Sequence, residues 1–239
     1  MALIQALLLA VLATATANSP SPSPARRCTV LAPDAKPIIE VRGKGSREPL
    51  AFYVLGFSRS GRLAWLELRQ GFESEDYTWI LYVVDLASDR QLVEREFVFK
   101  SANVQSLCAR YDTAIARVLD KFDVERGHAL ALEQPEATLP PTTVELAPGR
   151  RDREAYKTPY RVLLGGKDGV KQLGILWRVE VDSGQAPLGV PKLAGILRSP
   201  FEPRVAVLAT QQMMGTEGVE LTMVKVLGAR LDRGWRKAE

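Results

Sequence analysis

The side chains best placed to do chemistry are carboxylates. Glu73, Glu75 and Asp76 crowd one short segment, with Tyr77 and Trp79 directly after it, and Glu217 sits in an acidic segment far downstream. Two carboxylates brought face to face can divide acid and base roles on a glycoside. They can also hold a hard cation such as calcium. Clustered acids equally serve a plainer purpose, keeping a hairpin tip solvated and discouraging edge-to-edge pairing. Glu73, Glu75, Asp76, Trp79 and Glu217 are therefore candidate ligand-binding residues, and no catalytic residue is assigned.

Other reactive groups are few. The chain has one histidine, His128, in the alternating run His128-Ala-Leu-Ala-Leu132. A hydrolytic triad or a Cys/His pair would have to use it. No Gly-x-Ser-x-Gly nucleophile turn is present, and Ser60 lies in a turn of another kind. A site built from several imidazoles is excluded by the count. Gly165-Gly166-Lys167 lacks the spacing and the following helix of a phosphate loop. With no Cys-x-x-Cys there is no basis for a thiolate zinc site or a redox pair. No cofactor and no metal centre is expected.

The two cysteines, Cys28 and Cys108, bear on compartment. Residues 2–17, ALIQALLLAVLATATA, are uncharged, rich in Ala and Leu, and end in small residues. This pattern reads as a signal peptide cleaved after Ala17; it is too short to span a bilayer, so no transmembrane segment is expected after cleavage. Residues 18–27 open with alternating Ser and Pro and read as an extended, solvated tether. Outside the cytoplasm an even cysteine count favours a bridge, here Cys28–Cys108. A periplasmic or secreted location follows. With 32 Lys+Arg against 28 Asp+Glu, the excess charge is small and scattered. The basic run Gly149-Arg150-Arg151-Asp152-Arg153 is broken by an acid, so a nucleic-acid partner is not expected.

The elements that must position these groups are mostly strands. Phe52–Phe57 and Leu63–Leu68 are apolar runs split by Ser58-Arg59-Ser60-Gly61-Arg62, and Trp79–Leu86 follows the acidic segment. Short strands are expected at Ile38–Arg42 and Leu92–Phe99, and further strands at Arg161–Gly165 and Leu173–Val181 around an Asp168-Gly169 turn. Leu188–Leu197 suits an edge because of Pro191. Arg204–Gln211 and Val219–Leu227 close the series. Between these groups, Val104, Leu107, Cys108, Tyr111, Ile115, Val118, Leu119 and Phe122 recur at helical spacing, predicting an amphipathic helix over 104–121 with Ser101 or Asn103 as N-cap and Gly127 as a stop. Prolines from Pro135 to Pro159 suggest a long irregular connection.

The C-terminal pair echoes the first. Arg62-Leu-Ala-Trp-Leu-Glu67 and Arg204-Val-Ala-Val-Leu-Ala209 align at an offset of 142, which places Ser74-Glu75-Asp76 on Thr216-Glu217-Gly218. A duplicated hairpin, 52–99 and 194–232, predicts two related small sheets packed face to face or set as blades. A two-fold relation would bring Glu75 towards Glu217. The expectation is a mainly β fold of antiparallel hairpins in two related small sheets, sandwich-like or propeller-like, with one amphipathic α-helix. It forms a single β-rich domain over 28–232.

At Gly56-Phe-Ser-Arg-Ser-Gly-Arg-Leu-Ala-Trp65 the chain resembles the Phe-Ser-Pro-Asp-Gly-Arg-x-x-Ala-Phe pattern of propeller-type repeats, with Arg59 and Ser60 where Pro and Asp are usual. Together with Ile80-Leu-Tyr-Val-Val-Asp-Leu86 and Thr216-Glu-Gly-Val219, it is similar to a bacterial family described only as predicted secreted proteins, a domain of unknown function (number 2259 in that series). The resemblance spans about residues 30–230 and implies a secreted or periplasmic β-rich domain with no assigned activity. The function expected is a non-enzymatic binding or interaction module of the cell envelope, its partner an envelope protein or glycan. The alternative is an envelope glycan hydrolase using Glu75 and Glu217.

Overall fold

The computed structural model describes residues 28–41, 50–70, 76–126, 130–134, 143–151, 157–179, 189–214 and 220–236. Residues 1–27, read above as leader and tether, and Glu73, Glu75, Glu217 and His128 lie outside these residues. Five strands come first: β1 (Ile39–Val41), β2 (Leu50–Ser58), β3 (Arg62–Gln70), β4 (Tyr77–Asp85) and β5 (Arg90–Phe99). Helix α1 (Val104–Lys121) follows, then β6 (Val124–Arg126), β7 (Thr143–Pro148), β8 (Lys157–Gly166), β9 (Gly169–Val179), β10 (Lys192–Arg198), β11 (Arg204–Met214) and β12 (Glu220–Arg230). The fold is mainly β, every strand pair is antiparallel, and the described residues contain one α-helix.

The strands form three sheets rather than two. One runs β1-β2-β3-β4-β5 with β6 joined to β2, one is β10-β11-β12, and one is β7-β8-β9. They stack in layers. Leu66, Leu68, Trp79, Leu81 and Val83 of the first sheet meet Leu107, Ile115 and Leu119 of α1. The opposite face of the same strands, Leu63, Trp65, Ile80, Tyr82 and Val84, packs on Leu197, Ala206, Leu208 and Val224 of the second sheet. The far side of that sheet, Ile196, Val205, Val207 and Ala209, packs on Val162, Leu164 and Leu176 of the third. Strands buried on both faces need apolar residues at every position, which explains the unbroken runs in β3, β4 and β11.

The hairpin echo is only partly realised. Arg62 pairs with Asp85, whereas Arg204, 142 residues on, pairs with Arg230 and not with residue 227. Six residues separate the last pair of the first hairpin, Gln70↔Tyr77, and five separate Met214↔Glu220. The two hairpins do lie face to face, in different sheets. Strand β7 was hidden by its flanking prolines, although Val144 and Leu146 alternate with Glu145. Asn103 caps α1, its Oδ1 accepting the Ser106 N–H at 3.0 Å. The helix stops at Lys121, well before Gly127, because Asp123 turns the chain at φ +53.

Residues 28–32 are fastened across α1. Cys28 and Cys108 meet as a disulfide with Cα atoms 5.1 Å apart. Thr29 donates from its N–H and its hydroxyl to the two oxygens of Asp112, at 2.7 and 2.8 Å. Gln105 Nε2–H donates to the Ala32 carbonyl at 2.6 Å. Val30 and Leu31 are thereby held in the helix-side core. Removing the bridge with Cys28→Ser and Cys108→Ser should cost about 2–4 kcal/mol of stability. Urea midpoints of the double variant and of the oxidised protein measure it, and equal midpoints would contradict a structural role.

Candidate functional site

The sequence candidates fare unevenly. Trp79 is fully buried against α1, and its Nε1–H donates to the Ser101 carbonyl at 3.2 Å, so its indole is committed to the core. Asp76 is half-buried just before β4. Glu73, Glu75 and Glu217 lie outside the described residues. Cys28, Cys108 and Asp112 approach one another closely enough to suggest a metal cluster. The two sulfurs are consumed by the disulfide, however, and the carboxylate by Thr29.

The structure instead presents a cavity of about 640 Å³ where all three sheets and the C-terminal segment converge. The first sheet contributes the β4–β5 turn with Leu86 and Asp89. Strand β9 contributes Lys171 and Leu173, and β11 contributes Arg204. Gly228 and Arg230 come from the end of β12, and Arg233 and Arg236 from the segment beyond it. That segment is pinned by a two-way bridge: Val170 N–H donates to the Arg236 carbonyl at 2.9 Å, and Arg236 N–H to the Val170 carbonyl at 3.1 Å.

Close backbone approach shapes the walls. A Cβ on Gly228 would lie 2.0 Å from the Leu86 carbonyl oxygen, so only glycine lets β12 reach the β4–β5 turn. Gly228 N–H then donates to Asp89 Oδ1 at 2.7 Å. Asp89 adopts φ +52, a left-handed conformation that Asp tolerates better than most residues. Gly61 plays the same part at the β2–β3 turn. Its φ is +81, and a Cβ there would fall 2.7 Å from both Arg204 Nε and Glu202 Oε1. The turn Ser58–Gly61, conspicuous in the sequence, is thus a seat for Arg204.

The electrostatics are one-sided. Among the described residues, five cationic side chains line the cavity against one carboxylate, Asp89. Arg204 is 5% exposed, and its Nε–H donates to Glu202 Oε1 at 2.8 Å. Its Nη1 is buried with no hydrogen-bond partner. Lys171, 9% exposed, donates to the carbonyls of Arg230 and Arg233 and lies 4.3 Å from the Trp235 ring centroid. Burial, then the neighbouring Arg230 and Arg233 charges, pull its ammonium pKa down against the pull of Asp232. Burial pushes the Asp89 carboxyl up, opposed by the Gly228 N–H. Arg230 grips Asp232 through two hydrogen bonds and holds that carboxyl down to about 2.

None of these residues stands out along the chain. They are spread from Asp89 to Arg236, and in sequence they look like scattered solvated charge. The usable signal was Arg230, Arg233 and Arg236 at three-residue spacing around Gly234-Trp235. Comparison with protein-family models, with curated proteins and with solved structures finds no match in any of the three. The site is therefore read from its own geometry.

A second polar cluster lies on the first sheet's inner face. Glu67 is 1% exposed and accepts from Arg69 Nε–H at 2.8 Å. Trp65 stacks between Phe52 and Tyr82, at centroid distances of 5.2 and 5.0 Å. Burial raises the Tyr82 phenol to about 12, with the Glu67 and Glu94 charges adding to the shift and Arg69 opposing it. A phenol with a raised folded pKa leaves stability unchanged below an unfolded value of roughly 10. Stability then falls as pH rises from there through the folded value of about 12. Ultraviolet titration of the protein's six tyrosines should show one late ionisation, absent in Tyr82→Phe. Complete ionisation of all six near pH ~10 in the folded protein would contradict it.

Proposed function

We propose that this protein works outside the cytoplasm as a non-enzymatic binding module of the cell envelope, and that its ligand occupies the three-sheet cavity. The observation that carries the reading is the cavity itself. Its volume of about 640 Å³ falls within the range of small-molecule sites, about 300–1,000 Å³. Its walls come from elements locked by glycine contacts and by the Val170–Arg236 bridge, so it is preformed. Among the described residues its lining contains cations, apolar groups, the Gln172 amide and one carboxylate, but no Ser, Thr, Cys, Tyr or His. That composition suits holding a ligand. It offers neither a nucleophile with its base nor a carboxylate pair.

The export half of the reading is supported by the charge-free leader, the Ser/Pro tether and the Cys28–Cys108 bridge, which persists in oxidising compartments. No helix among the described residues is long and apolar enough to cross a membrane. The combined resemblance of Gly56–Trp65, Ile80–Leu86 and Thr216–Val219 to predicted secreted proteins points the same way.

The two halves are tested separately. N-terminal sequencing of protein recovered from the envelope fraction should begin at Asn18, and a cytoplasmic chain retaining Met1 would overturn export. Hydrogen exchange in the presence of a small-molecule envelope extract should show added protection at 170–173 and 228–236. Protection confined to other segments, or turnover of a glycan or peptide library, would overturn the binding reading.

A further inference from the structure

We propose that the cavity selects a small molecule bearing a phosphate monoester, with the phosphate seated between Arg204, Lys171 and the two C-terminal arginines, Arg233 and Arg236. This rests on the binding reading above and specifies its ligand class.

Charge is the first argument. Of the five cations among the described lining residues, Arg204 is paired with Glu202 and Arg230 with Asp232, and Asp89 adds one further negative charge to the lining. Two positive charges remain, matching a dianion.

The second argument is hydrogen bonding. Buried polar atoms are nearly always partnered, and leaving a charged donor without an acceptor is costly. Arg204 Nη1 is such a donor, and the guanidinium carrying it is fixed by Glu202 and by the Gly61 turn. An oxyanion supplies the acceptor. Lys171 has three ammonium protons and directs two hydrogen bonds to backbone carbonyls, leaving one donor for a ligand. Arg233 and Arg236 are exposed at the rim, and no carboxylate among the described residues pairs with either.

Geometry favours phosphate over carboxylate. The cations come from separate directions, namely β9, the start of β11 and the C-terminal segment. A tetrahedral group presents three oxygens to donors that do not share a plane, whereas a carboxylate offers two oxygens in one plane. The cavity is also far larger than a bare phosphate needs. Leu86, Leu173 and Ala229 provide apolar surface for an attached sugar-sized body.

Isothermal titration with glucose 6-phosphate, inorganic phosphate, citrate, glucose and spermidine tests the proposal. Glucose 6-phosphate should bind, more tightly than inorganic phosphate, and should weaken as salt is raised. The double variant Arg233→Gln/Arg236→Gln removes only exposed side chains and should weaken glucose 6-phosphate by about tenfold or more. Arg204→Gln, checked for folding by circular dichroism, should abolish binding; if that variant does not fold, the double variant decides. Glucose or spermidine binding as well as the phosphoester, or an unchanged affinity in the double variant, would overturn the proposal. Citrate binding in preference to both phosphates would overturn the phosphate assignment. If no probe binds while envelope extract still protects 170–173 and 228–236, the phosphate proposal fails and the binding reading stands. If extract also gives no protection, both fail.

Discussion

The constraint on which the rest depends is burial of the β3–β4 hairpin on both of its faces. One set of side chains, with Leu66 and Leu81, is claimed by α1, and the alternate set, with Leu63 and Ile80, by the second sheet. A slip of one residue would exchange the two sets, putting Glu67 and Arg69 into the helix-side core and turning Leu66 towards the second sheet. Neither layer can be satisfied unless the register is right. The hairpin therefore fixes where the helix lies and where the second sheet lies.

From that follows the position of the cavity. Strands β11 and β12 are set against the first sheet by Leu208 and Val224, and the stack ends where Gly228 meets Leu86. The third sheet packs on the other side of β11 and brings Lys171 to the same place. The cations thus converge because three sheets share one edge. Burial of Arg204 and Lys171 is tolerated because each is anchored, one by a carboxylate and a glycine turn, the other by two carbonyls and an aromatic face.

What could be read from the chain alone follows the same physics. Helix α1 was legible residue for residue because a single buried stripe imposes a 3.6-residue period, and Val104, Leu107, Cys108, Ile115 and Leu119 carry it. The main strands were legible as apolar runs between turn residues. Their allocation to three sheets was not, since a strand buried on both faces does not say which neighbour covers which face. Strand β7 lost its signature to Pro140, Pro141 and Pro148. The cavity was illegible because its residues are brought together by layer stacking, which leaves no local pattern. The acidic stretch at 73–76 drew attention for the opposite reason: its carboxylates are neighbours in sequence, which says little about neighbours in space.

The Cys28–Cys108 bridge has a mechanical consequence. It spans 80 residues and encloses all of β1 to β5, with only the start of α1 inside the loop. Pulled from its two ends, the protein would carry tension across the bridge and leave the enclosed segment slack. Roughly 270 Å of contour length, at about 3.4 Å per residue, would never be paid out. The second and third sheets lie wholly on the loaded side and would unravel first. Of the strands in the helix-backed sheet, β1 to β5 are shielded by the bridge and only β6 lies on the loaded side. Under such a load the walls of the cavity drawn from the second and third sheets would yield before strands β1 to β5.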